Sequence, residues 1–129
     1  MNEDIYGIKK WGNDILEILE NGNIGLKNPF QPDNIPTDLI KIIKSLNERG
    51  ISCPVLLRVT DYLKFRIKQI NNSFFEAIKE IGYKGDYKGV FPVKVNQQAQ
   101  VIDRIVEFGK QFDFGLEVGS KPELLIALA

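Results

Sequence analysis

The sequence predicts an α/β fold whose larger part is built from repeated strand–helix units on a parallel sheet. Three observations carry that reading. From residue 55 onward, short apolar runs alternate with longer segments whose apolar residues recur every three or four positions, in the order strand, helix, strand, helix, strand, helix. Glycine or proline stands at the junctions between them, as at Gly82, Gly109 and Pro122. The run Val55-Leu56-Leu57 with Val59 is nearly continuous in apolar residues, which suits a parallel strand covered on both faces. Repeated units of this kind form either an open doubly wound sheet or a closed barrel.

The elements follow in order. Residues 5–30 read as strands and turns. Ile15, Leu16, Ile18 and Leu19 run into the turn signal Asn21-Gly22-Asn23, and Ile24 and Leu26 alternate with Gly25 and Lys27, so a short β-hairpin is expected. Residues 28–36 hold three prolines and form a connector. Thr37 is placed to cap a helix whose stripe is Leu39, Ile43 and Leu46, with Gly50 able to close it at positive φ.

The first unit starts with the strand at 55–59, after which Asp61 can cap a helix with Leu63, Ile67, Ile70, Phe74, Ile78 and Ile81 on one face. The second strand is expected over Gly89–Val95, with a bulge or an end at Pro92, which cannot donate to a ladder. Val101, Ile105 and Phe108 carry the next helix to Gly109, and Phe112–Leu116 is the third strand. A final helix begins near Pro122 and contains Leu124, Leu125 and Leu128. The expected division is therefore 1–36, hairpin and proline-rich connector, and 37–129, helix and strand–helix units. At 129 residues the chain has a one-domain length, whereas a (β/α)₈ barrel takes roughly 250. If the fold is a barrel, the chain holds about three of its eight units and is a fragment.

Composition narrows the function classes. Seventeen basic and seventeen acidic residues give a formal net charge of zero. Residues 1–64 carry eight basic and nine acidic groups and residues 65–129 carry nine and eight, so neither half is a footprint for nucleic acid or anionic lipid. With no histidine and one cysteine, the chain alone cannot build a Ser-His-Asp triad, an imidazole metal site, an intrachain disulfide or a CxxC ligand pair. Cys53, in an apolar run before Pro54, reads as a small buried hydrophobe. The start lacks the basic and apolar regions of a secretory signal, and no apolar run approaches the roughly 20 residues that cross a bilayer, so a cytoplasmic location is expected. There is no dinucleotide fingerprint or P-loop, and Gly82–Gly85 is a turn.

Two segments can carry chemistry. In either parallel architecture the active site lies at the carboxyl ends of the strands. Lys94 falls near the end of the second strand between Val93 and Val95, with Asn96, Gln97 and Gln98 after it. An ammonium in an apolar strand is desolvated, which favours the neutral amine, and a neutral amine attacks a carbonyl to form a Schiff base. The plainer reading is a lysine that snorkels to solvent at the rim. The second segment is Phe114–Glu123, where Glu117, Gly119 and Ser120 follow the third strand on the same rim. Its plainer reading is a βα loop in which Ser120 caps the last helix and Glu123 completes the capping box.

Phe91-Pro-Val-Lys94-Val-Asn-Gln-Gln98, followed by Phe114-Gly-Leu-Glu117-Val-Gly-Ser-Lys-Pro-Glu123-Leu-Leu, resembles the biosynthetic arginine decarboxylases of bacteria and plants. Three further stretches fit in order: Tyr6-Gly-Ile-Lys-Lys-Trp11-Gly, Pro54-Val-Leu-Leu-Arg58-Val-Thr-Asp61 and Gly82-Tyr-Lys-Gly-Asp-Tyr-Lys-Gly89. The resemblance runs from Tyr6 to Ala129. It departs at Ala99 and Gln100, where the family usually has a basic residue, and at Asn13–Glu17.

The resemblance implies the first part of an alanine-racemase-like (β/α)₈ barrel and pyridoxal phosphate bound to Lys94, with Glu117, Gly119 and Ser120 near the cofactor. It also implies conversion of L-arginine to agmatine and CO₂ in polyamine synthesis, dependence on Mg²⁺, and a homo-oligomer. Another amino-acid decarboxylase of this fold, a non-catalytic pyridoxal-phosphate carrier and a regulatory fragment that binds an intact subunit are the alternative readings. The phosphate site and the pyridine-nitrogen partner are expected outside these residues, so the chain alone is expected to be inactive and poorly soluble.

Overall fold

The structure is a computed structural model that describes residues 3–129, with side chains from residue 5 onward. Its contacts group into two compact units, residues up to Asp61 and residues Tyr62–Ala129.

In the first unit the strands expected before residue 15 are absent. Two single-turn helices, α1 (Glu3–Tyr6) and α2 (Ile8–Trp11), stand there instead, separated by Gly7 at φ 60°. The sequence Tyr6–Gly12 lacks period-two alternation, and local bonds satisfy its backbone: Lys10 and Trp11 N–H to Gly7 C=O, and Gly12 N–H to Ile8 C=O at 2.7 Å. The Trp11 indole N–H also donates to the Tyr6 carbonyl at 2.9 Å.

The hairpin forms as expected. Strand β1 (Leu16–Ile18) pairs antiparallel with β2 (Ile24–Leu26), Leu16 opposite Leu26 and Ile18 opposite Ile24. A third strand that the sequence did not reveal, β3 (Thr37–Asp38), pairs with the other edge of β2. Helix α3 (Leu39–Glu48) follows, and its cap is Asp38 rather than Thr37: the Asp38 carboxylate accepts the Ile40 N–H at 2.9 Å. Thr37 is committed to the sheet, which moves the cap one residue on. Gly50, at φ 77°, closes α3 as expected, with Ile51 N–H bonded to Leu46 C=O and Gly50 N–H to Asn47 C=O, the paired bonds of a Schellman motif.

Two expectations fail at the end of this unit. Cys53 is exposed rather than buried. Val55–Val59 forms no strand, and Leu56 and Leu57 are 76% and 47% exposed. Strand structure exists through a neighbour's hydrogen bonds, and no described segment pairs with this one.

Helix α4 (Thr60–Ile81) starts at Thr60, so Asp61 lies in its first turn rather than ahead of it. Most of α4 belongs to the second unit. Phe74 stacks on the Tyr87 ring at a 3.9 Å centroid separation, fixing the loop that follows the helix. Strands β4 (Val90–Pro92) and β5 (Gly115–Glu117) pair in parallel, Pro92 opposite Glu117, and α5 (Ala99–Gly109) connects them. The second strand is shorter than the expected Gly89–Val95. It ends at Pro92, and Val93–Val95 form a 3₁₀ turn. The third strand lies later than the expected Phe112–Leu116, because Lys110–Phe112 make another 3₁₀ turn and Asp113 turns the chain at φ 51°. Helix α6 (Lys121–Leu128) is last. Val93, Ile102, Ile105 and the α4 residue Ile67 are the buried apolar side chains of this unit.

The chain is thus mixed α/β, with two parallel strands among the described residues where the sequence predicts three. No described helix is long and apolar enough to cross a membrane.

Candidate functional site

The second unit brings the predicted site residues to one end of its parallel pair. Pro92 stops β4, and the 3₁₀ turn that follows carries Lys94. Val93 points into the core and is fully buried, whereas Lys94 is exposed and Val95 is 69% exposed. The apolar enclosure expected around the Lys94 amine is therefore not present: one flanking valine faces inward and the other faces solvent. Lys94 stands at the carboxyl end of β4, where active sites of parallel sheets are built.

The neighbouring strand ends level with it. Pro92 is paired with Glu117, the last residue of β5, and Val118-Gly119-Ser120 leads into α6, which packs on the Lys94 turn. Ser120 caps α6 as the sequence predicts, its hydroxyl oxygen accepting the Glu123 N–H at 3.4 Å. Glu123 returns the favour in an altered form of the capping box. One carboxylate oxygen accepts the Gly119 N–H at 2.8 Å, and the other accepts the Ser120 O–H at 3.0 Å. The Glu123 carboxyl is pulled below the usual carboxylate range, first by the Gly119 N–H, then by the Ser120 hydroxyl, with a smaller contribution from the Lys94 charge.

Glu117, Gly119, Ser120 and Glu123 thus share one loop. A methyl on Gly119 would stand 3.6 Å from one Glu123 oxygen and 3.8 Å from one Glu117 oxygen, so two carboxylates flank this glycine. Glu123 is the member that sequence reasoning left as a helix-cap residue alone, although it lies on the helix that packs on the Lys94 turn. Ser120-x-x-Glu123 reads as a helix cap, and that motif does not specify which turn α6 packs against. No described group of three or more Asp, Glu, Cys or His side chains is arranged to hold a metal ion.

Comparison with known proteins points one way. Over 124 residues the chain is 50% identical to the biosynthetic arginine decarboxylase of Prochlorococcus marinus (strain MIT 9312), a match that covers 96% of this chain and 19% of that protein. The chain is homologous to part of a biosynthetic arginine decarboxylase. The arginine decarboxylases of Gloeobacter violaceus and Thermosynechococcus vestitus are 46% and 45% identical over 126 and 128 residues. The crystal structure of the biosynthetic arginine decarboxylase SpeA from Campylobacter jejuni superposes with a TM-score of 0.81 at 37% identity, covering 95% of this chain and 20% of that one. The chain therefore spans about a fifth of the length of these arginine decarboxylases. No family model matches it.

Proposed function

We propose that the chain supplies the cofactor-bearing lysine, within a (β/α)₈ barrel, to a pyridoxal-phosphate-dependent decarboxylation of L-arginine to agmatine and CO₂ in polyamine synthesis. The observation that carries this reading is Lys94: an exposed primary amine at the carboxyl end of a parallel strand, in a sequence half identical to an arginine decarboxylase.

The residues present fit the aldehyde end of the cofactor. Lys94 is free to condense with an aldehyde, water leaving, and Glu117 faces the same rim from the adjacent strand end. They offer no cradle for the phosphate. The Gly119 N–H at the start of α6 is already taken by Glu123, so that group must be held by residues other than these. When bound, the cofactor supplies the electron sink that accepts the bonding pair left by the departing carboxylate. Lys94 would hold the cofactor through its primary amine, and the α-amine of arginine would compete with that amine for the same aldehyde. Glu123 is kept charged by Gly119 and Ser120, and it lies on α6, the helix that packs on the Lys94 turn.

Borohydride reduction of the pyridoxal-phosphate-loaded protein, followed by peptide mapping, tests the assignment. The pyridoxyl group is expected on the peptide containing Lys94, and its recovery on any other lysine would overturn it. In a polypeptide as long as the relatives, Lys94→Ala is expected to abolish release of CO₂ from arginine.

A further inference from the structure

Asn21 is the one asparagine in the chain that a glycine follows. It is exposed at the tip of the hairpin, in a turn closed by the Gly22 N–H donating to Leu19 C=O at 2.9 Å, with Gly22 at φ 81°. A methyl on Gly22 would meet nothing within 4 Å, so open space surrounds its backbone. Two further bonds hold the Asn21 side chain. Its amide N–H₂ donates to the Asp38 carboxylate at 3.2 Å, and its carbonyl oxygen accepts the Asn23 N–H at 3.0 Å. Asp38 is itself buried at the start of α3.

We propose that Asn21 is a site of spontaneous deamidation, with Asp38 as both the latch that slows the reaction and the group its product disturbs. The Gly22 nitrogen gives its proton to solvent and bonds to the side-chain carbonyl carbon of Asn21. The bond from that carbon to the amide nitrogen breaks, ammonia leaves, and a five-membered imide joins the two residues. Water opens the imide at either carbonyl to give aspartate or isoaspartate, with nothing oxidised or reduced. Glycine favours the ring because no Cβ crowds the attacking nitrogen. Asn72 precedes the small Ser73, but inside α4 the helix ladder holds that nitrogen. At Asn21 the ring closes only after the Gly22 N–H leaves Leu19 and the amide leaves Asp38, an opening confined to one exposed turn. The product then acts on the fold. Aspartate formed at this position sets a second carboxylate against Asp38, where like charges repel and a buried acceptor loses a donor. Isoaspartate also adds a carbon to the backbone of the turn that sets the β1–β2 register. Either product unties the hairpin from α3, irreversibly and without an enzyme. The Lys94 rim belongs to the other unit, so this inference is independent of the proposed function.

Incubation of the full 129-residue chain in mildly alkaline buffer at physiological temperature, followed by peptide mapping, tests the proposal. The mass gain of an amide-to-acid change is expected on the peptide holding Asn21, part of it as isoaspartate, and Asn21→Gln is expected to abolish it. A guanidinium-unfolded sample gives the unrestrained rate, and the folded chain is expected to react about tenfold more slowly. Asp38→Ala, with circular dichroism confirming its helix content, is expected to speed the folded reaction about fivefold. Asn21→Asp makes the product directly and is expected to lower the unfolding midpoint read by Trp11 fluorescence at neutral pH. Adding Asp38→Asn to it is expected to recover part of that loss, by re-forming the bond with donor and acceptor exchanged. Earlier conversion of another asparagine, or none at Asn21 while the unfolded chain converts, overturns the site. A folded Asp38→Ala chain that reacts no faster than the parent overturns the latch. An unchanged midpoint in Asn21→Asp, or no recovery in the exchanged pair, overturns the coupling to Asp38.

Discussion

Asp38 and Glu123 are both held below the ordinary carboxylate range, and in each case hydrogen bonds contribute more than any cation. Asp38 receives the Asn23 side-chain amide at 2.9 Å, its largest influence, then the Asn21 amide at 3.2 Å and the Ile40 N–H, so one buried carboxylate ties the hairpin turn to the start of α3. Its folded pKa is depressed, so the unfolded chain binds the proton more readily. The stability Asp38 contributes is present above about pH 4 and is lost as the pH falls through the folded value. Trp11, the sole tryptophan, lies in the same unit and reports its unfolding. Denaturation followed by Trp11 fluorescence should show a midpoint that falls as the pH drops below about 4, and Asp38→Asn should flatten that dependence. At the other carboxylate, Ser120→Ala removes both the cap of α6 and one of the bonds that keep Glu123 charged. Loss of such a cap costs roughly 1 kcal/mol, and hydrogen exchange at the Gly119 and Glu123 amides should accelerate accordingly.

Among the elements, the small sheet depends on a missing side chain. Gly25 sits in the middle of β2, and a Cβ there would stand 2.6 Å from a Leu19 methyl and 2.9 Å from the Pro36 ring. Leu19 can rotate away but the proline ring cannot, so Gly25→Ala should lower the stability of this unit by about 1–3 kcal/mol, read by Trp11 fluorescence. In α4 the opposite change should help. Asn71 is fully buried, its amide N–H₂ donates to Ile67 C=O at 2.8 Å, and its carbonyl oxygen has no partner. Asn71→Leu removes that stranded acceptor and should raise the thermal midpoint, with a gain of about 1 kcal/mol. What was legible in the sequence divides along the same physical line. The hairpin, the Gly50 stop, the end of β4 at Pro92 and the Ser120 cap are local, written in turn residues, a ring without a donor and a helix-start motif. Lys94, Glu117, Gly119 and Ser120 could be named because they follow such local signals. The strand expected at Val55–Val59, the β3 pairing and the packing of α6 on the Lys94 turn all depend on a partner distant in sequence, which periodicity does not specify.

At the scale of the whole molecule, the surface area sets the expectation. The chain exposes 9868 Å², whereas two compact units of half its mass would expose about 8,400 Å² even if they did not touch. The excess therefore lies within the units themselves, and it is apolar in places that parallel folds normally cover. Leu56, Val90, Val95, Leu125 and Leu128 are each more than half exposed, and only five apolar side chains are buried among the described residues. A parallel strand is stable when both faces are covered, and β4 and β5 have one strand neighbour each. Covering those faces is a task for the other four-fifths of a protein of the relatives' length, which would also have to provide the phosphate cradle that α6 does not offer. The 129-residue chain should thus bind a hydrophobic dye strongly in native buffer and release no CO₂ from arginine with pyridoxal phosphate added. Placed within a polypeptide of the relatives' length, the same residues should lose most of the dye signal as activity appears. Measurable turnover by the isolated chain, or weak dye binding at full solubility, would show that its two units are already sufficient for the reaction or for their own cover.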